Sequence, residues 1–285
     1  IFNFWKNYIF FCPLNTGSPW YFRFLPNVSI VGVIHDLKVF DKPELVHPIR
    51  RWFRKLELMN IFFSADKLIF VSHFTKNSFN KHIGNLFKYK YAVIYEGVPP
   101  YCKKIEPNQK SKFKLPENGF LLTVGVNQNK NINSTFMVYK HLKENYKYKG
   151  KLIVVGSDFY KLKKLSKEMK LSNDILFASS ISRAEILNLY DKCDVFVFSS
   201  IYEGFGLPVL EAAYRGCRLV LNKCGAVNEI APTGSYLVDI NDFVSTSKTV
   251  NEALKISKPI SYDLSNFDFE KNAEELIKFT LTNDK

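Results

Sequence analysis

The sequence predicts an α/β protein made of two doubly wound, Rossmann-like parallel-sheet domains. Two observations carry that prediction. Short strand-like apolar runs alternate with helical patterns along most of the 285 residues, and strands spaced by helices of about 10–15 residues build parallel βαβ units. The alternation stops once, between Tyr101 and Gly119, where the chain turns polar and basic, carries Pro107 and Pro116 and loses its periodicity. One series on each side of such a linker gives one sheet per side. The expected boundaries are 1–107 for the first domain, 118–267 for the second and 268–285 for a terminal helix.

In the first domain, Val28–Ile34 is an apolar run ending at His35-Asp36. Pro48 opens a helix that carries Ile49, Trp52, Phe53 and Leu56 on one face. Lys67–Val71 is the next strand, and Ser72 caps the helix after it. Tyr91–Tyr95 is a further strand, closed by Gly97 and Pro99-Pro100. Ile1–Phe11 is aromatic and apolar, but Asn3, Lys6 and Asn7 interrupt it, so it reads as part of the fold rather than a secretion signal. No apolar run reaches the roughly 18 residues that span a bilayer.

In the second domain, the strands are Phe120–Val124, Lys151–Val155, Ile175–Phe177, Val195–Ser199 and Arg218–Leu221. Helices near Asn133–Tyr146, Tyr160–Met169, Arg183–Lys192 and Leu207–Gly216 alternate with them, and Phe269–Leu281 is one amphipathic helix. In sheets of this kind ligands sit beyond the carboxyl ends of the strands, which places the expected site in the cleft between the domains.

Composition narrows the partners. The net charge of +13 is uneven: residues 1–117 hold 18 Lys+Arg against 8 Asp+Glu, whereas residues 118–285 hold 22 against 19. A basic first half suits an anionic partner such as phosphate-bearing lipid or an acidic membrane, with general solubility as the plain alternative. Nucleic acid is set aside, because the basic residues are not interleaved with an aromatic platform or a groove-reading motif. Cys12, Cys102, Cys193, Cys217 and Cys224 form no C-x-x-C pair, so neither a disulfide framework nor a metal site is expected. Buried thiols in a reducing cytosol fit better.

The chemistry concentrates in Ser199 to Ala213, which reads SSIYEGFGLPVLEAA. A strand ends at Ser199, a Gly-rich turn follows, and Pro208 stands in the first turn of a helix. Gly204 and Gly206 allow backbone amides to approach a ligand, and the helix start adds unpaired N–H groups and a positive dipole end. That is a design for binding phosphate. Glu203 and Glu211 bracket the turn. Either could be a solvated surface acid, but Glu211 stands between Leu210 and Ala212-Ala213, where an unpaired carboxylate is costly. Its expected partners are hydroxyl groups, as in ribose recognition.

This stretch resembles the E-x7-E signature of glycosyltransferase family four, the large group of retaining enzymes with the GT-B fold. Other stations match in order. Val33-Ile34-His35-Asp36-Leu37 resembles the family's HD strand end, and Phe70-Val71-Ser72 its VS turn. Val93 to Val98 resembles V-x-N-G-V with Glu96 in place of Asn. Leu122 to Gly125 followed by Lys130-Asn131 resembles the VG…KN entry to the donor domain, and Gly225 to Ile230 the G-x-x-E loop, with Asn228 where Pro is common.

The resemblance implies a metal-independent hexosyltransferase that needs no cofactor beyond its nucleotide-diphosphate sugar. The acceptor would be a glycan or a lipid-linked glycan, in cell-surface polysaccharide or lipopolysaccharide-type synthesis. The first domain would serve the acceptor and the second the donor, with the terminal helix packing back on the first. Glu203 would face the transferred sugar, with His35 reaching the same sugar. The amides of Gly204, Phe205, Gly206 and Leu207, with Gly125, would hold the diphosphate and sugar. Glu211 would bind the ribose, and Lys130 would neutralise the departing diphosphate. The expected location is the cytoplasm, at the inner face of the plasma membrane if Arg50, Arg51, Arg54 and Lys55 beside Trp52 and Phe53 meet anionic lipid. Ordinary packing with a solvated basic face is the competing reading of that helix.

Two departures bear on activity. The family usually has an Arg shortly before the KN lysine, whereas Val126 to Asn129 carry none. Losing one charge-assisted contact would cost on the order of 2–4 kcal/mol in the transition state. Arg183 is a candidate substitute. The family's first strand and Gly-rich loop are also not found, and the chain begins at Ile1, so an N-terminal piece is expected to be missing. The alternative function is therefore a non-catalytic nucleotide-sugar-binding subunit or an inactive fragment.

Overall fold

A computed structural model of the chain describes residues 8–15, 24–25, 27–84, 90–103 and 114–282. Two compact units emerge. The first comprises residues 1–97, the short segment Glu203–Phe205, and residues 266–285; the second comprises 98–202 and 206–265. Most of the expected linker, 104–113, lies outside the described residues.

The first unit holds a four-stranded sheet of β1 (Tyr8–Cys12), β2 (Val28–Ile34), β3 (Lys67–Phe70) and β4 (Lys90–Val93), in that spatial order. Every neighbouring pair is parallel. The helices α1 (Lys38–Asp41) and α2 (Pro48–Ser64) connect β2 to β3, and α3 (His73–His82) follows β3. The core joins Ile30 and Ile34 of β2 and Phe70 of β3 to Leu58, Ile61 and Phe62 of α2 and Phe79 of α3. Phe79 makes ring contacts with Phe62 at 4.9 Å and Phe70 at 5.2 Å. Ser72 caps α3 by accepting the N–H of Thr75, which satisfies one of the donors that a helix start leaves unpaired.

Helix α2 departs from a simple core-facing helix. Ile49, Trp52, Phe53 and Leu56, the face read from the sequence, are 48–64% exposed. The buried apolar residues are Leu58, Ile61 and Phe62. The helix carries two apolar stripes, and only the second, nearer its carboxyl end, lies over the sheet. The first continues through Met59 and Phe63, which are also exposed.

The second unit holds a six-stranded sheet of β5 (Phe120–Val124), β6 (Lys151–Val155), β7 (Ile175–Ala178), β8 (Val195–Phe198), β9 (Leu219–Asn222) and β10 (Tyr236–Val238). Their spatial order is β10-β9-β8-β5-β6-β7, all parallel. The connecting helices are α4 (Ile132–Tyr146), α5 (Tyr160–Glu168), α6 (Arg183–Lys192), α7 (Leu207–Tyr214), α8 (Val227–Ile230) and α9 (Phe243–Ala253). All four residues of β8 are buried, as helices on both faces of a parallel sheet require. The order is that of a doubly wound sheet, with the expected strands ending within two residues of their expected limits. β10 and α9 had no counterpart in the sequence expectation.

The last helix, α10 (Phe269–Leu281), belongs to the first unit. Lys67 of β3, though buried, donates from its ammonium to the carbonyls of Phe279 (3.0 Å), Thr280 (3.2 Å) and Thr282 (2.5 Å). A cation there satisfies carbonyls that a helix end leaves open and meets the negative end of its dipole. Among the described residues no helix is long and apolar enough to cross a membrane.

Candidate functional site

The second sheet starts at β5, winds outward to β7, then returns beside β5 as β8 and winds the other way. At such a reversal, successive connections leave on opposite faces of the sheet and open a crevice at the carboxyl ends of the two central strands. Register places Leu121 beside Val195 and Leu122 beside Phe196. The loops that leave this point are 125–131 after β5 and 199–206 after β8. They hold Gly125, Lys130, Gly206 and, one turn into α7, Glu211.

Three hydrogen bonds fasten the two loops together, and a fourth ties the second loop to Thr135 of α4. The Ser199 hydroxyl donates to the Lys130 carbonyl at 2.6 Å and accepts from the Thr135 hydroxyl at 2.7 Å. The Ile201 amide donates to the Asn129 carbonyl at 2.8 Å, and the Asn129 side-chain amide donates to the Tyr202 carbonyl at 3.1 Å. Asn129 thus holds the loop in the stretch where the family usually has its arginine. The Lys130 side chain packs over Gly125, where an added Cβ would stand 2.9 Å from its Cε. Its ammonium lies 4.7 Å from the centre of the Phe198 ring, a contact worth about 0.5–1 kcal/mol where water still reaches it.

Gly206 caps α7 with φ near 118°, a conformation that strains any residue with a side chain. Leu207 and Pro208 form the first turn. Glu203 is partly exposed in the turn before it.

Glu211 is 6% exposed and sits among Val209, Leu210, Ala212 and Ala213. Three groups answer its charge. The Tyr190 hydroxyl donates to Oε2 at 3.0 Å, the Tyr101 hydroxyl donates to Oε1, and Arg183 Nη1 lies 3.7 Å from Oε1. Hydrogen bonds to a charged group contribute about 1.5–3 kcal/mol each, enough for two of them to offset the several kcal/mol that burying one carboxylate costs. Burial, then the carboxylate, raises the pKa of both phenols, so both stay protonated and donate. The same two causes push the neighbouring Cys102 thiol up to about 12. Arg183 stacks on the Tyr101 ring at 4.2 Å.

The segment Glu203–Phe205 groups with the first unit, and its contacts explain why Gly204 is glycine. A Cβ there would fall 1.8 Å from the His35 carbonyl oxygen. The Gly204 carbonyl accepts from the Ser72 hydroxyl at 2.6 Å and the Thr75 hydroxyl at 3.0 Å. Phe205 is buried, its ring 6.2 Å from both Tyr95 and Phe267. His35, just past β2, has both ring nitrogens engaged: Nδ1 with Glu96 at 2.8 Å and Nε2 with the Pro13 carbonyl at 2.7 Å. Glu96, the residue that departs from the family's Asn, is therefore the partner of His35.

The family model described as "Glycosyl transferases group 1" matches residues 104–278. The chain belongs to this family. It is 25% identical over 233 residues to the O-antigen chain mannosyltransferase B of Escherichia coli, covering 79% of this chain and 61% of that protein. It is 26% identical over 234 residues to the O-antigen chain mannosyltransferase RfbU of Salmonella typhimurium, covering 80% and 62%. The chain thus spans about three fifths of the length of these curated relatives. A sucrose-phosphate synthase from Thermosynechococcus elongatus has a similar structure, with a TM-score of 0.67 and 18% identity over 91% of this chain and 69% of that one. At that identity the likeness concerns the fold, which is the GT-B type.

Within a group 1 glycosyltransferase the loops after β5 and β8 are where sequence reasoning looked. It missed Tyr101 and Tyr190, and it named Arg183 only as a substitute for the missing arginine, not as a partner of Glu211. A buried glutamate demands donors, yet nothing local says that they stand 110, 21 and 28 residues away in the chain. Arg183, the candidate substitute for the missing arginine, is placed beside Glu211.

Proposed function

We propose that the protein transfers a hexose from a nucleoside-diphosphate sugar to a glycan or lipid-linked acceptor, with retention at the anomeric carbon and without metal. One observation carries the reading: at the strand reversal, a lysine after β5 and a helix start after β8 are stapled side by side, with a buried glutamate one turn further on. The cation and the helix start suit a diphosphate, and the glutamate suits a ribose diol. Gly125, Lys130, Gly206, Leu207 and Glu211 form the proposed donor set. By family resemblance Glu203, Gly204, Phe205 and His35 are assigned to the sugar.

In the proposed reaction the bond from the anomeric carbon to the diphosphate oxygen breaks as the sugar gains oxocarbenium character. Lys130 and the α7 dipole stabilise the charge that collects on the leaving group. The acceptor hydroxyl attacks from the same face, and its proton passes to a phosphate oxygen of the departing nucleotide. No nucleic acid partner enters this reading.

The two relatives are mannosyltransferases, which makes a mannose-bearing donor the first to test. A thermal-shift screen across UDP-, GDP- and ADP-sugars, followed by a transfer assay, is the direct experiment. A true ligand raises Tm by mass action. Nucleotide binding with no turnover on any donor would favour the non-catalytic reading, for which the absent arginine before Lys130 speaks.

We also propose that the exposed stripe of α2 rests on anionic lipid at the inner face of the plasma membrane, close to a lipid-linked acceptor. Trp52 and Phe53 are more than half exposed beside Arg50, Arg51 and Arg54, and apolar and basic groups together fit that surface. Co-sedimentation with phosphatidylglycerol vesicles, absent with phosphatidylcholine and lost in Trp52→Glu, supports it. Self-association through the same residues in light scattering would overturn it.

A further inference from the structure

Each carboxylate oxygen of Glu211 accepts a hydrogen bond from a phenol. Its Oε2 is held from the buried side by Tyr190, a residue with 0% exposure. Its Oε1 is held by Tyr101, whose ring lies under the guanidinium of Arg183. The Arg183 side chain is 57% exposed and that of Glu211 7%. The two holders differ in kind. Tyr190 stands on α6 in the middle of the core, whereas Tyr101 stands on a short turn at Pro100–Cys102, next to solvent-facing Arg183.

A ribose binds a carboxylate by donating its hydroxyls to the oxygens. Oε1 cannot take a ligand hydroxyl in the place where the Tyr101 hydroxyl stands. Resting on the donor-site reading above, we propose that the Tyr101 hydroxyl is a placeholder for a ligand hydroxyl. Tyr101 and Arg183 form a stacked lid that a nucleotide must displace from Glu211 Oε1. Tyr190 is the fixed anchor that keeps the carboxylate aimed.

The lid gives the site a selective property. A ligand that brings a hydroxyl replaces the phenol with an equivalent donor and leaves Glu211 satisfied. A ligand without one would leave a buried carboxylate oxygen short of a donor, and that shortage is costly. The lid therefore discriminates for a ribose diol. While it holds Glu211 the phenol stays protonated, since burial and the neighbouring carboxylate raise its pKa.

Isothermal titration calorimetry with UDP, GDP and their 2′-deoxy counterparts tests the lid. Tyr101→Phe removes the competing donor and keeps the ring, so affinity for the ribonucleotide rises about tenfold. The gain shrinks to about twofold or less with the 2′-deoxy ligand, which brings one hydroxyl fewer. Tyr190→Phe goes the opposite way and weakens binding. If Tyr101→Phe does not fold, Arg183→Gln frees the ring and gives a smaller gain of the same sign. Unchanged or weaker ribonucleotide binding by Tyr101→Phe, with normal binding by the unaltered protein, overturns the lid alone. Absence of nucleotide binding by the unaltered protein and by Tyr101→Phe overturns the donor site together with the lid.

Discussion

His35 Nδ1 lies 2.8 Å from a carboxylate oxygen of Glu96, and its Nε2 lies 2.7 Å from the Pro13 carbonyl. Both partners are acceptors, so the ring is best served by two protons. The hydrogen bond with Glu96 raises the imidazole above its ordinary 6.5, against a lowering by burial and with further help from Pro13. The pair's contribution to stability is therefore complete below the unfolded value and is lost as pH rises through the folded one. At 36% side-chain exposure the effect is screened and small. NMR titration of His35 should give a pKa above 6.5, moving downward in Glu96→Gln. An unshifted value in the unaltered protein would count against the pairing.

Gly204 is set against the His35 carbonyl with no room for a methyl group. Backbone meets backbone there, so no flexible side chain can yield. Gly204→Ala is expected to lower stability by about 1–3 kcal/mol, seen as a lower Tm, and to lose transfer activity out of proportion to the folded fraction. An alanine variant with full Tm would mean that the approach is looser.

Lys130 is a point charge on a loop held by backbone bonds that its own side chain does not make. Lys130→Gln should therefore fold normally and lose about 10²–10³ in kcat, because the charge acts on the leaving group. Affinity for a nucleoside lacking phosphates should not change. An active Lys130→Gln would move the diphosphate elsewhere.

Glu211 presents a contrasting case, since its removal strands two phenols. Glu211→Leu should weaken nucleotide binding at least tenfold and also cost about 1–3 kcal/mol of stability as Tyr190 loses its buried acceptor. Tyr190→Phe with Glu211→Leu should recover part of that loss, because both ends of the bond are then apolar. Chemical denaturation of the single and double variants measures the recovery.

The parallel sheets were legible because their central strands are buried on both faces and read as continuous apolar runs, as Val195–Phe198 shows. The phosphate-binding loop was legible because turn, glycine and helix start are contiguous in sequence. What escaped was short or remote. β10 has only three residues, too few for a period to show. α9 is rich in Ser and Thr, and its buried face includes Thr246 and Ser247, residues that a hydrophobic pattern overlooks. On α2 the sequence revealed an apolar stripe but not which of two stripes the sheet would take. Around Glu211 the need for donors was readable, whereas their identity depended on tertiary folding.

Because the first unit draws on Glu203–Phe205 and on α10, its parts are not contiguous in the gene. A cut between Cys102 and Leu115 would yield two polypeptides, neither a finished body. The amino-terminal piece would lack the helix end that receives the Lys67 ammonium and the carbonyl that receives the Ser72 and Thr75 hydroxyls. Such halves should be poorly soluble apart and should complement each other when co-expressed. The same crossing of the chain makes an exchange of the region before Cys102 between relatives harder than the position of the linker implies.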